Sequence, residues 1–500
     1  MQRRKLKESL NPVLLRLGLR IGIIWGKGAE IMSDFANYIM NYLGRALMLA
    51  VPAAAFCGAG LFIASRRYQK KHGGERKFPW GKAVLGVMLV GYLAVLLFVT
   101  TARGWSYSSG GANFHLFRAW REAWNSFSEK NWLNVLLNIA VFVPLGVLLP
   151  LLWKRFRKWP WMLGMGFLTT LYIECVQYIK GAGLFDVDDL LCNTLGAMLG
   201  FWAVMVFLSV WEKKWKRCAC HALALLAVLG AIGGIFIAYD VQEYGNLSTS
   251  PAFRVNTKDM EWTVSCELDN VERNIAIYRT QTSTKAECEA FGREFLENLG
   301  AEDVDVTIYN EEVYLREHQG SRWLEVFYQD GHYSYSDLED WDGPDSGYGE
   351  VSEEKLRAEL LNYGIAVPEE ADFSYDEGSQ VHYFWVNRHV DGDMMMDGTV
   401  AVQWEDGYGI REINHTLVTF TYYGEAEVIS EQAAVERLMD GWITDGERLE
   451  RKNIKQIEIV SCELAYQVDT KGFFQPVYLF EMASMDTDYS ETAVIPAIKS

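Results

Sequence analysis

"GLFDVDDLLCNTLGAMLG", residues 183–200, sets three aspartates, Asp186, Asp188 and Asp189, against the start of a long apolar run. Asn193 lies one helical turn inside that run, and Gly196 and Gly200 form a GxxxG that lets a second helix approach closely. A spanning helix needs about 20 mainly apolar residues. Five stretches are long enough and carry no Asp, Glu, Lys or Arg: 46–65, 83–102, 131–153, 190–211 and 218–239. A sixth, 159–179, carries one acid, Glu174. The expectation is a bundle of six transmembrane helices.

Charge divides the 500-residue chain in two. Residues 1–239 hold 28 Lys+Arg against 11 Asp+Glu, a net of +17; residues 240–500 hold 19 against 54, a net of −35. A basic, apolar half followed by an acidic, polar half predicts a membrane domain joined to a soluble one. The acidic half repels phosphates, which argues against nucleic acid as a partner and for a cationic or protein partner in the envelope. Basic clusters lie at 66–77, 154–158 and 213–217, between spans one and two, three and four, and five and six. The positive-inside rule makes these loops cytoplasmic, and it puts Asp186–Asp189 and residues 240–500 outside. The basic stretch 1–31 breaks the rule. It reads either as an added amphipathic or weakly spanning segment, or as an extension ahead of a start at Met32, since codons for Lys27-Gly28-Ala29 can spell a ribosome-binding site. The expected domains are 32–239 in the membrane, a linker over 240–255, and two α+β modules over 256–345 and 346–500.

Neighbouring spans carry polar partners for the aspartates. "NWLNVLLNIAVFVPLG" (131–146) puts Asn134 and Asn138 at i, i+4 on one helix face, followed by the helix-bending Pro144 and by Gly146. "LYIECVQYIK" (171–180) puts Glu174 and Gln177 on one face, and Asp189 and Asn193 share another. Intramembrane acids and amides face a bundle interior or a wet cavity. One polar pocket near the outer face, built from spans three to five, accounts for all of them; helix-to-helix hydrogen bonding is the plainer alternative. With Asp189 opening the fifth span, Asp186 and Asp188 are expected to face a ligand.

These motifs, with "ANFHLF" (112–117) ahead of them, resemble the VanZ-like membrane family, named for a teicoplanin-resistance protein. The matching positions are Asn113, Asn138, Phe142, Pro144, Gly146, Glu174, Gln177, Asp186, Asp188, Asp189, Asn193 and Gly196, over roughly residues 82–211. Relatives often carry an Arg before the Gly-Leu-Phe-Asp, where this chain has Ala182, with Lys180 nearby. The resemblance implies low-level glycopeptide resistance in some members and no established reaction.

The outer half reads as α+β with antiparallel sheets. "NIAIYRT" (274–280), "DVTIYNEEVYLRE" (305–317) and "RWLEVFYQDGHYSYS" (322–336) alternate as strands do, and residues 381–420 form a meander with Asp-Gly turns. Segments 283–300, 352–364 and 429–441 read as helices, each opening near a serine and closing at glycine; Ser283 and Glu287 approximate a capping box on the first. VSCEL occurs at 264–268 and again at 460–464. Residues 402–413, 428–441 and 472–482 resemble PepSY-like or YycI-like extracytoplasmic modules, which implies a binding or regulatory role. Histidines 318, 332, 382, 389 and 415 lack metal-ligand spacing, His221 falls on the cytoplasmic side, and the acidic runs at 337–345 and 391–398 read as turns rather than EF-hands. Of eight cysteines, only Cys266, Cys288 and Cys462 fall beyond residue 240, room for one disulfide.

Three functions follow as expectations. The first is an envelope protein whose polar pocket binds a membrane lipid, a lipid-linked wall precursor or a lipophilic glycopeptide, without a cofactor. The second is a scaffold that senses through its outer modules. The third is a metal-assisted enzyme acting on lipid headgroups, with Glu174 as base and the aspartates holding Mg²⁺; the absence of a serine–histidine arrangement weighs against it.

Overall fold

The computed structural model describes residues 56–71, 78–101, 112–181, 183–280, 283–309, 312–328, 330–339, 348–444, 446–452, 454–484 and 489–499. The 1–31 stretch, Ala182 and half of the first expected span lie outside them; the described part of that span belongs to a helix, α1, over 56–71. Five further helices are long and apolar enough to cross a membrane: α2 (Trp80–Thr101), α4 (Glu129–Leu152), α5 (Trp159–Lys180), α6 (Val187–Trp211) and α7 (Trp215–Val241). The chain divides into two compact units, one of residues 1–120 and 129–243, the other of 121–128 and 244–500.

In the first unit α4 and α6 pack backbone to backbone. A Cβ on Gly196 would strike the Ile139 carbonyl, one on Gly200 the Val143 carbonyl, and one on Gly146 the Ala197 carbonyl. Lipid gives helices no hydrophobic reason to associate, so close approach through small residues supplies the contact. Around the crossing lie buried Phe142, Met162, Phe201 and Met205. Pro144 and Pro150 sit inside α4. Near the first of them the Tyr92 hydroxyl of α2 donates to the Val141 carbonyl at 2.9 Å. Short basic connections join α4 to α5, through a 3-10 turn at Lys154–Arg157, and α6 to α7.

The second unit carries a 14-stranded, mostly antiparallel sheet; its parallel pair joins β3 (Glu261–Val264) to β14 (Gln456–Val468). One core lies between α8 (Lys285–Asn298) and α9 (Glu353–Asn362) and the strands over 304–413. A second gathers α10 (Glu431–Met439), α11 (Gly446–Lys452), β14, β15 (Phe473–Ser484) and β16 (Ser490–Pro496). The expected module border at 345 therefore fails. Strand β8 (Tyr333–Asp337) pairs with β12 (Gly409–His415), and the first core runs from Cys288 to Ile413. The expected linker 240–255 is also structured from Gly245 onward. The Gly245 amide donates to Asp469 and the Asn246 amide to Thr470 at 2.8 Å, while Leu247 and Val255 are buried. The capping box of α8 uses Thr284 rather than Ser283: the Thr284 hydroxyl and the Glu287 carboxylate each accept the other's backbone N–H.

Candidate functional site

The quoted stretch folds as a two-residue strand followed by α6. Strand β2 (Phe185–Asp186) runs parallel to β1 (Ala112–Asn113), and the register sets Asn113 beside Asp186. Asn113, 4% exposed, accepts from the His115 amide at 3.1 Å and donates through Nδ2 to Asp186 Oδ1 at 3.1 Å. Asp186 is the N-cap of α6: the same Oδ1 accepts the Asp188 amide at 2.8 Å. Asp188 and Asp189 fall in the first turn, where the helix dipole favours negative charge.

Asp188, which the sequence reading expected to face a ligand, turns both carboxylate oxygens to backbone amides. It is 1% exposed, and its two oxygens accept the Phe117 and Ala119 amides at 2.6 and 2.7 Å. Those are orphan N–H groups at the start of helix α3 (Arg118–Ser126). Phe117 has φ +65°, a left-handed conformation that costs a non-glycine residue about 1–2 kcal/mol, and the Asp188 carboxylate holds it there. Asp186 takes two donors, Asn113 Nδ2 and the Asp188 amide, on its single oxygen Oδ1, so the two aspartates help to build the site.

Glu174 sits beneath them. It is 2% exposed on α5 and accepts the Asp186 amide through Oε2 at 3.3 Å. No basic side chain pairs with it among the described residues. Across the bundle, Asn138 of α4 donates through Nδ2 to Asp189 Oδ1. One turn further along α6, Asn193 donates to the Thr170 hydroxyl at 2.8 Å, and its own carbonyl oxygen is buried with no donor among the described residues. Thr170 was missed in the sequence, although it precedes Glu174 by four residues on the same helix face. Gln177 is half-buried near the loop at Gly183. Asn134 is exposed and stands apart from the cluster. It shares a helix face with Asn138, but only the inner of the two reaches α6.

The arrangement brings four carboxylates and three amides to one end of the α4–α5–α6 bundle. Among the described residues no group of three or more His, Cys, Asp or Glu is disposed to hold a metal ion. The geometry gives the reason for the aspartates, since backbone N–H groups take both Asp188 oxygens and Asp186 Oδ1.

Residues 84–208 match the VanZ/LLP1 family. This segment is a VanZ-like domain. It contains every residue of the cluster, from Asn113 to Asn193. No curated protein is significantly similar to the chain. Among solved structures, the Bacillus megaterium YpeB C-terminal domain matches at 9% identity and a TM-score of 0.18, covering 44% of this chain and 100% of that one. The chain therefore joins a segment that matches the VanZ/LLP1 family, built of helices long and apolar enough to cross a membrane, to a sheet-rich C-terminal region.

Proposed function

We propose that the VanZ-like domain binds the polar head of an amphiphile at the cluster around Glu174. The amphiphile would be a lipid, a lipid-linked wall precursor or a lipophilic glycopeptide, and the protein would contribute to tolerance of antibiotics or envelope stress. The observation that carries this reading is Glu174 itself: a carboxyl group buried in a span, with one long backbone hydrogen bond and no basic partner among the described residues. Such a group takes either a proton or a donor from outside the protein. The buried Asn193 carbonyl, without a donor among the described residues, is a second acceptor nearby. Acceptors of this kind suit a headgroup rich in hydroxyls, amides or ammonium, as sugars and peptides are, better than a bare phosphate. The lysines and arginines between the spans support an opening on the outer face and an extracytoplasmic position for residues 240–500. A metal-assisted reaction on a headgroup draws less support, because both Asp188 oxygens and Asp186 Oδ1 already serve backbone amides.

The test is growth inhibition of a sensitive Gram-positive host expressing the full chain, intact or as Glu174→Gln with Asp189→Asn, with membrane insertion verified in each strain. Lipid-tailed teicoplanin should inhibit the wild-type strain several-fold less than a vector control, vancomycin should discriminate less, and the double variant should lose the protection. Unchanged sensitivity with good insertion would overturn this reading in favour of sensing through the outer region.

A further inference from the structure

The second unit holds a cationic cavity that its acidity makes conspicuous. Gly441, in the left-handed region at φ +90°, turns the chain out of α10 and positions Trp442. Its carbonyl accepts the Val255 amide at 3.0 Å, which lays Arg254 beside that tryptophan. The Arg254 guanidinium lies 4.9 Å from the Trp442 ring centroid. Asn125 donates to the Ser250 carbonyl at 2.8 Å, and from this same segment Arg121 reaches within 5.8 Å of the same ring. Arg437 joins Arg254 and Trp442 in lining a cavity of about 290 Å³, whose opposite wall is Pro251, Ile495 and Pro496.

None of these three arginines has a carboxylate within ion-pairing distance among the described residues. The contrast lies in the same unit, where Arg273, Arg293, Arg322, Arg357, Arg388 and Arg411 each pair with an Asp or Glu. Arg437 makes only a long 3.5 Å contact to the Pro496 carbonyl, and Asp440 at the cavity edge pairs with none of the three. Residues 240–500 contain 54 acids, so carboxylates are not scarce there. Guanidinium groups gathered around one indole repel one another unless an anion sits among them. Their planar forks match the oxygens of a phosphate, and an indole with an apolar wall suits the carbon skeleton attached to it.

We propose that this cavity binds a phosphate group, carried by a membrane lipid or free in solution, independently of the Glu174 cluster. By sequence, Arg121 precedes the span beginning at Glu129 by eight residues, and Arg254 follows the one ending at Val241 by thirteen, so both are tethered close to lipid. The test places the full chain in phosphatidylcholine nanodiscs. These are titrated calorimetrically with dibutyryl phosphatidylglycerol and, separately, with inorganic phosphate. Saturable binding is expected, weakened at least tenfold by Arg254→Gln with Arg437→Gln and weakened less by Arg254→Lys, which keeps the charge and loses the fork, with melting temperatures unchanged. Binding of the lipid analogue alone identifies a headgroup site; equal binding of inorganic phosphate identifies a free anion. Absence of saturable binding by either probe, or an affinity untouched in a folded double variant, overturns the proposal.

Discussion

The two units solve packing in opposite ways. In the membrane unit, α4 and α6 meet through Gly146, Gly196 and Gly200, where backbone touches backbone. In the second unit the cores are made of large side chains, among them Phe384, Phe480 and Tyr335, each under 2% exposed. Water explains the difference. Burying apolar surface drives the second unit together, at roughly 25 cal/mol per Å². Lipid offers no such gain, so the membrane unit depends on close fit and on polar groups that satisfy one another. The contrast also shows in how charge is used. Six arginines of the second unit pair with acids, whereas the buried Asp188 of the VanZ-like domain gives both its oxygens to backbone amides.

The sharpest way to break this contrast is one substitution made in both units. A Cβ at Gly196 meets the Ile139 backbone carbonyl, which cannot yield without parting the helices. A Cβ at Gly292, inside α8, meets the methyl ends of Leu315, which can turn aside. Gly196→Ala should therefore cost about 3 kcal/mol or more, at the upper end for overpacking. Gly292→Ala should cost under about 1 kcal/mol, because alanine's helix propensity offsets part of the strain. Unfolding of the full chain, followed separately by probes in each unit, checks this. Equal losses would show that backbone contact is not what distinguishes the units.

The sequence made the spans, the polar faces and the glycine packing positions readable, because each follows from composition or from the 3.6-residue period. What it hid was non-local. Asp188 and the amides of Phe117 and Ala119 are about 70 residues apart, and a backbone donor leaves no mark in sequence. The exposure of Asn134 turns on which of two residues on one face meets the neighbouring helix. The 345 border failed for the same reason, since the β8–β12 pairing joins strands from both sides of it. Segment 240–255 is polar enough to read as a linker, yet Asp469 and Thr470, more than 200 residues away, fix it in place.

A smaller effect concerns a half-buried histidine in the second unit. His415 stacks on Tyr333 with ring centroids 4.6 Å apart, and burial pushes its pKa down to about 4. The unfolded chain takes up this proton near pH 6.5 and the folded chain does not, so stability falls as pH drops from about 6.5 towards 4 and levels off below. After discounting for partial exposure, the loss is about 2 kcal/mol. His415→Phe should flatten that part of the second unit's stability–pH curve. An unchanged slope would mean that other groups dominate it.

The smallest expected effect compares helix caps. Asp186 opens α6 inside the polar cluster, where its cap bond is shared with Asn113 and linked to Glu174. Thr284 opens α8 at the surface through a capping box with Glu287. Water can replace the lost acceptor at an exposed helix start, so Thr284→Ala should cost about 1 kcal/mol, seen as a shift of a few degrees in the second unit's melting. Asp186→Ala removes the cap and also strands the Asn113 amide and the Asp188 N–H away from water, so its cost should be at least twice as large. Equal costs for the two would mean that water reaches the start of α6 as freely as it reaches Thr284, and the buried cluster would then be an open, hydrated mouth.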